Sequence, residues 1–468
     1  KNIKRPVTLF LFLFCSTFFY TISAKAQGVS YWKLSDASNF NASQERTVYP
    51  EKFLSYELNL TALQTYLAQA PKEFSVNHKD GLVLQLPLPN GNFMRFSMLE
   101  TQMMEAPLAA KFPQLKTYVG QGLDDPYSRV RLDITALGLH VMMATREGYV
   151  FIDPVNNTEI QNYICYYRAD MPNAFDRHCE FSGNKSEEER IKREFSLHPD
   201  KGNLKIHDSG DELRTYRLAL ACTGEYATTK GGTVIGALSG MVTSVNRVNG
   251  IYENEVSVRM VLVANNDTLI FLNAASDPYN NNSGGAMLGQ NQTTITARIG
   301  ASNYDFGHVF STGGGGVAGL GIICDNVQKA NGVTGLPNPV GDAFDVDYVA
   351  HEMGHQFGAN HTFNNNSSGS CFSNASMGHN FEPGSGSTIM AYAGLCSPFD
   401  LQSNSDPIFH TESYNEIFTY TIFGFGNSCA STTFTNNSVP IINPLTDYII
   451  PFRTPFTLVG SASDADGD

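Results

Sequence analysis

The stretch Val346-Asp347-Tyr348-Val349-Ala350-His351-Glu352-Met353-Gly354-His355-Gln356-Phe357-Gly358-Ala359-Asn360-His361 constrains this chain more than any other. Two histidines four apart on a helix project from one face about one turn, ~6 Å, apart, so both imidazoles reach a single ion at nitrogen distances near ~2.0–2.1 Å. Glu352 stands on an adjoining flank, where its carboxylate can take a proton from water held by that ion. Gly358 tolerates the left-handed φ that ends a helix, which turns the chain so that His361 approaches the same ion from another direction. Three neutral imidazoles leave a fourth position open for water and substrate. Such a site is catalytic in type, whereas structural zinc is usually closed by four protein ligands, commonly including Cys. With His at 11 and Gly at 41 of 468 residues, this spacing of three histidines and one glycine is expected by chance about 5 × 10⁻⁴ times, before Glu352 is required. Surface histidines on an ordinary helix would not account for Glu352, Gly358 and His361 together.

The rest of the chain frames that segment. Lys1, Lys4 and Arg5, an apolar run from Val7 to about Ile22, and Ala24-Lys25-Ala26 predict a secretory signal peptide over 1–26, cleaved after Ala26. The run is shorter than the ~20 residues of a spanning helix, and no other segment is apolar enough, so no transmembrane segment is expected in the mature chain. The lack of an opening Met and the acidic close suggest a chain truncated at both ends. Residues 27–195 carry short alternating runs such as Val130-Arg131-Leu132-Asp133-Ile134, which predict a β-rich domain with one wet face. The charged, hydrophobic-poor region that follows predicts an exposed linker at 196–212, open to proteolysis.

From 213 to 433 the pattern is mixed α and β. Tyr216 to Ala221 predicts a strand, and Val234, Leu238, Met241, Val245, Val248 and Tyr252 form one apolar stripe on a long helix. A buried strand over Val256 to Ala264, a helix over Gln290 to Ile299, and strands at Phe306 to Phe310 and Leu320 to Cys324 follow, the last two separated by the flexible loop Gly313 to Gly316. Residues 438–468, with Pro440, Pro444, Pro451 and Pro455, predict the start of an immunoglobulin-like or cadherin-like β-sandwich. Its closing Asp464-Ala465-Asp466-Gly467-Asp468 is an exposed acidic turn or a structural Ca2+ ligand set. A net charge of −14 offers no basic face for nucleic acid.

The histidine segment resembles the metzincin metallopeptidases, whose extended motif is His-Glu-x-x-His-x-x-Gly-x-x-His followed by a methionine-containing turn. Here that turn would be Ser387-Thr388-Ile389-Met390-Ala391-Tyr392. The resemblance implies an α/β catalytic domain, a twisted mixed sheet with an active-site helix and a small irregular lower subdomain. It also implies Zn2+ on His351, His355 and His361, Glu352 as catalytic base, and Met390 as a floor beneath the metal. The strand-helix-strand order and the leader with its pro-region are similar to the secreted bacterial reprolysin-like peptidases, over roughly 213–433. Tyr392 departs from the reprolysin habit of a Pro two residues after the Met and is closer to the astacin and serralysin pattern; it is an oxyanion stabiliser or a packed aromatic. The implied activity is a zinc endopeptidase on protein or peptide substrates, made as a zymogen with residues 27–195 as prodomain and C-terminal modules that bind a cell surface or matrix.

Cys179 is the candidate inhibitory thiol, unless it pairs with Cys165. Cys371 with Cys396 and Cys324 with Cys429 are the expected bridges, with Cys222 a buried thiol; the sequence leaves these pairings open. The rival reading is a surface adhesin with an inactive zinc module, which gives no reason for an intact Glu352.

Overall fold

The computed structural model describes residues 31–36, 46–158, 160–172 and 210–465, so the leader, Cys179 and the charged linker lie outside the described residues. The N-terminal part is one antiparallel sheet of nine strands: β1 (Trp32–Ser35), β2 (Leu54–Leu58), β3 (Leu82–Pro87), β4 (Phe93–Thr101), β5 (Lys116–Gly122), β6 (Arg129–Thr135), β7 (Gly138–Thr145), β8 (Gly148–Pro154) and β9 (Asn162–Tyr167). Strands β3 to β9 follow chain order, and the β1–β2 hairpin closes on β9. One face buries Leu132, Ile134, Leu139, Val141, Val150 and Ile152 beneath α1 (Leu60–Leu67), which contributes Leu63 and Leu67.

The second part is a mixed sheet built from β10 (Glu212–Cys222), β11 (Val258–Leu262), β12 (Phe306–Ser311), β13 (Gly316–Ala318), β14 (Gly332–Gly335) and β15 (Ser431–Phe434). The order is β11-β10-β12-β14-β13, with β15 antiparallel to the start of β10. The pairs of β10 with β11, β10 with β12 and β12 with β14 are parallel, which requires the crossover helices α2 (Val234–Val256) and α3 (Gly284–Ile299). Short β13 is antiparallel to β14.

The wet face expected on the N-terminal strands is buried against α2. There Met142, Phe151, Ile164 and Tyr166 join Leu238, Met241, Val245 and Val248 in one core, and Gly250 makes room where a Cβ would collide with Met142. The polar residues between them are also covered, and each finds a partner across the contact. Asp133 accepts from the Thr243 hydroxyl at 2.8 Å and from Asn246 at 3.2 Å. Arg247, 2% exposed, reaches Asp153 at 2.5 Å and Asp345 at 3.0 Å. Arg259 binds Glu73 at 2.8 Å, and Arg168 binds Asp342 at 2.5 Å and Asp347 at 2.7 Å. Backbone joins the two parts as well: Leu262 N–H donates to Met103 O and Glu105 N–H to Leu262 O, both at 2.9 Å, which continues the mixed sheet at its β11 margin.

Three local expectations differ from what is observed. The strand expected from Val256 starts at Val258, because α2 runs to Val256 and stops on Ser257 in the left-handed region. The helix expected from Gln290 begins at Gly284, where the Ser283 side chain accepts the Ala286 N–H at 3.4 Å and supplies a start that glycines obscure in sequence. The apolar run Leu320 to Cys324 is a buried loop, not a strand, with Gly321 and Cys324 both at positive φ. Beyond Ser438, the described residues hold one short antiparallel pair, Ile441–Ile442 with Ala462–Ser463.

Candidate metal centre

The chain enters the site through a helical turn (Asp342–Phe344), a π-helical stretch (Asp345–Ala350) and the fully buried helix α4 (His351–Gln356). Gly358, at φ +96°, ends that helix. Its N–H donates to His355 O at 2.8 Å and the Ala359 N–H to Gly354 O at 2.9 Å, a Schellman arrangement that satisfies the last carbonyls and sends His361 back toward the helix.

Each imidazole is oriented through its Nδ1. His351 faces Ile389 O at 2.6 Å, His355 faces Ala359 O at 2.8 Å and His361 faces Asn374 O at 2.7 Å. A carbonyl only accepts, so these partners assign the proton to Nδ1 in all three rings. The Nε2 lone pairs then converge, with His355 3.2 Å from His351 and 3.1 Å from His361. Tetrahedral ligands of one zinc lie about 3.3 Å apart at Zn–N distances of ~2.05 Å, so the donor set and spacing fit that ion. Three facing acceptors repel one another, and a shared cation removes the repulsion. Burial, and the charge that neighbouring histidines would carry, hold His355 and His361 well below the usual imidazole range and therefore neutral, as ligation requires.

The other sequence candidates within the described residues, Glu352, Met390 and Tyr392, lie around the triad. Glu352 is fully buried and abuts Gly316 at the start of β13, where a Cβ would overlap its carboxylate. Met390 lies under α4 at Gly354, again a position where a Cβ would collide, here with the Met390 sulfur. Tyr392, 1% exposed, sets its ring 4.6 Å from His361, centre to centre, and stacks on Phe363 at 4.4 Å. A narrow recess beside His351 is walled by Tyr348, Ala391, Leu395 and Ser405.

Side chains that no linear motif announces hold the loops in place. Glu382 accepts from the Thr362 hydroxyl at 2.6 Å and from the Ser387 N–H at 2.7 Å, so it ties the residue after His361 to the turn that carries Met390. Glu416, on α5 (Thr411–Ile422), accepts the Asn360 N–H at 2.9 Å and the Asn360 amide at 2.6 Å. His308 binds Gln356 at 2.9 Å and Thr334 at 2.8 Å; burial pushes it down to about 4, so it is a neutral pin between α4 and the sheet. His379 faces Glu412 and Glu416, whose hydrogen bonds raise it to about 10.

Cys371 is bonded to Cys396 and Cys324 to Cys429, while Cys222 is a buried thiol, all as expected. Cys165 is a buried free thiol whose Sγ meets Pro87 O at 3.4 Å. No helix among the described residues is long and apolar enough to cross a membrane.

Residues 212–412 match the family model described as Metallo-peptidase family M12B Reprolysin-like. Among solved structures the chain is similar to metalloproteinase-II from Bacteroides fragilis, with 11% identity over 80% of this chain and 96% of that one and a TM-score of 0.39. It is also similar to myroilysin, with 11% identity over 47% of this chain and 87% of that one and a TM-score of 0.25. No curated protein matches the sequence significantly.

Proposed function

From the premise that residues 212–412 are those of a reprolysin-like M12B metallopeptidase, which makes the protein a zinc metalloendopeptidase, we propose a secreted enzyme made as a latent zymogen. In this reading His351, His355 and His361 hold the metal and Glu352 is the general base. The observation that carries the metal assignment is the convergence of the His351 and His361 Nε2 atoms on His355 Nε2, at 3.2 and 3.1 Å, beside the helix residue Glu352, which is fully buried.

Zinc, when bound, polarises the scissile carbonyl and brings the pKa of a water toward ~7. Glu352 accepts the proton of the attacking water and returns it to the leaving amine. Its place against Gly316 sets the carboxylate beside β13, the last strand of the mixed sheet. An extended peptide added along that strand would lay its backbone across the base. Tyr392, packed on His361, is the candidate to steady the oxyanion, and Met390 supports the helix from below.

Residues 27–195 serve as the prodomain. Asn404 donates to Met171 O at 3.4 Å, and its neighbour Ser405 walls the recess beside His351, so the chain departs toward 196–212 from the rim of the centre. Cys179 is seven residues beyond Pro172, a reach of up to about 23 Å, which supports it as the inhibitory thiol. Residues 438–468 would begin a β-sandwich that carries the enzyme to a surface or matrix.

Cleavage of a denatured protein mixture, abolished by a chelator and restored by Zn2+, is the expected behaviour once the N-terminal part has been excised. An excised chain that stays inert with zinc would favour the adhesin reading. Latency that survives Cys179→Ala would dismiss the thiol switch.

A further inference from the structure

Outside the triad, one other cluster of described residues brings three metal-ligating side chains within reach of one point: His379, Glu412 and Glu416 offer atoms within 4.8 Å of one another. Glu412 and Glu416 stand one turn apart on one face of α5, and His379 comes from the loop that follows Asn374. His379 Nδ1 lies 2.8 Å from Glu412 Oε1 and 3.0 Å from Glu416 Oε1. A second observation comes from Asn360, 3% exposed, whose amide abuts Glu416 at 2.6 Å while its Oδ1 accepts no hydrogen bond from the described residues. Exchange of the two ends of that amide would present the buried oxygen to the same cluster.

We propose that His379, Glu412 and Glu416, completed by the Asn360 amide oxygen, form a second divalent transition-metal site. An imidazole nitrogen with carboxylate oxygens suits zinc or a neighbouring first-row ion better than Ca2+, which selects oxygen ligands alone. The side chains of His379 and Glu412 are 19% and 25% exposed and that of Glu416 is 5% exposed, so the cluster is open to solvent on one side and anchored on the other. Two carboxylates and one neutral imidazole balance the charge of a single divalent ion, which suits a half-buried place. Because Asn360 directly precedes His361, an ion here would also stiffen the loop that delivers the third imidazole to the catalytic centre.

The test is metal stoichiometry of the full chain, loaded with excess Zn2+ in mildly alkaline buffer, freed of loose ion by gel filtration and measured by elemental mass spectrometry. Two zinc ions per wild-type chain are expected, and one in Glu412→Gln and in His379→Gln, each with unchanged far-ultraviolet circular dichroism. His355→Ala should also hold one, now lost on further substitution of Glu412. One ion in the wild-type chain, or two retained in both Glu412→Gln and His379→Gln, overturns the proposal. Two ions in wild type and still two in His355→Ala would instead count against the catalytic assignment and leave the second site standing.

Discussion

Glu382 accepts the Thr362 hydroxyl at 2.6 Å, and through that bond a carboxylate in the lower loops fixes the residue next to His361. The same side chain takes the Ser387 and Thr388 N–H groups, at 2.7 and 3.1 Å. Hydrogen bonds to a charged acceptor contribute about 1.5–3 kcal/mol each, and buried donors left unsatisfied cost more. Glu382→Ala should therefore lower unfolding free energy by about 3 kcal/mol and weaken zinc retention; denaturant titration and chelator competition measure both. A variant with wild-type zinc affinity would show that the clamp does not position His361.

On the proposed role of Glu352 as general base, Glu352→Gln keeps the shape of the side chain and removes its basicity. General base catalysis is worth roughly 10²–10⁴-fold, so kcat should fall by at least that lower factor while zinc content stays at the wild-type value. Substantial residual proteolysis would remove Glu352 from its role.

Acid should destabilise the fold through His308. Its folded pKa, about 4, lies below the ordinary 6.5 because burial disfavours the charged ring. Between those values the unfolded chain binds the proton and the folded chain does not, so stability falls as pH drops from about 6.5 toward 4. The full effect is of order 3 kcal/mol. Thermal melts of wild type and His308→Gln across that window should differ in slope, the variant being flatter; parallel curves would exclude His308.

Arg247 sits between Asp153 of the nine-stranded sheet and Asp345 at the entry to the histidine helix. Removing one partner of a buried ion pair costs about 3–5 kcal/mol, because the remaining charge has no compensation. Arg247→Ala should lower the melting temperature by several degrees and loosen the N-terminal part, seen as faster limited proteolysis. Replacement of Arg247 together with both aspartates by apolar residues should recover much of that loss.

What was legible in the sequence follows from how locally each feature is encoded. The triad lies within 351–361, where helix period and one left-handed glycine fix the geometry, so spacing alone assembles it. Glu382, Glu416 and His379 reach their partners only through tertiary contacts, and no short motif joins Thr362 to Glu382 or His379 to Glu412. The run Leu320 to Cys324 signalled burial correctly and strand wrongly, since an apolar run does not distinguish a sheet from a loop tied down by the Cys324 bridge. Alternation in β6 to β8 placed polar residues on one face, but whether those residues met water or partners on α2 depended on Thr243, Asn246 and Arg247, more than 90 residues away.

The matching of Asp133 and Asp153 to α2 also bears on the order in which the molecule is made. The meander from β3 to β9 is assembled from neighbouring hairpins, whereas the mixed sheet is finished only when Ser431 reaches Thr215. A growing chain therefore completes the first sheet early and presents its polar face as a template before α2 has left the ribosome. If the N-terminal part is excised, as proposed above, a denatured enzyme without it has lost the surface on which its central helix assembled. Its lifetime is then set by how slowly it opens rather than by how well it refolds, and supplying the N-terminal part in trans should restore recovery from denaturant.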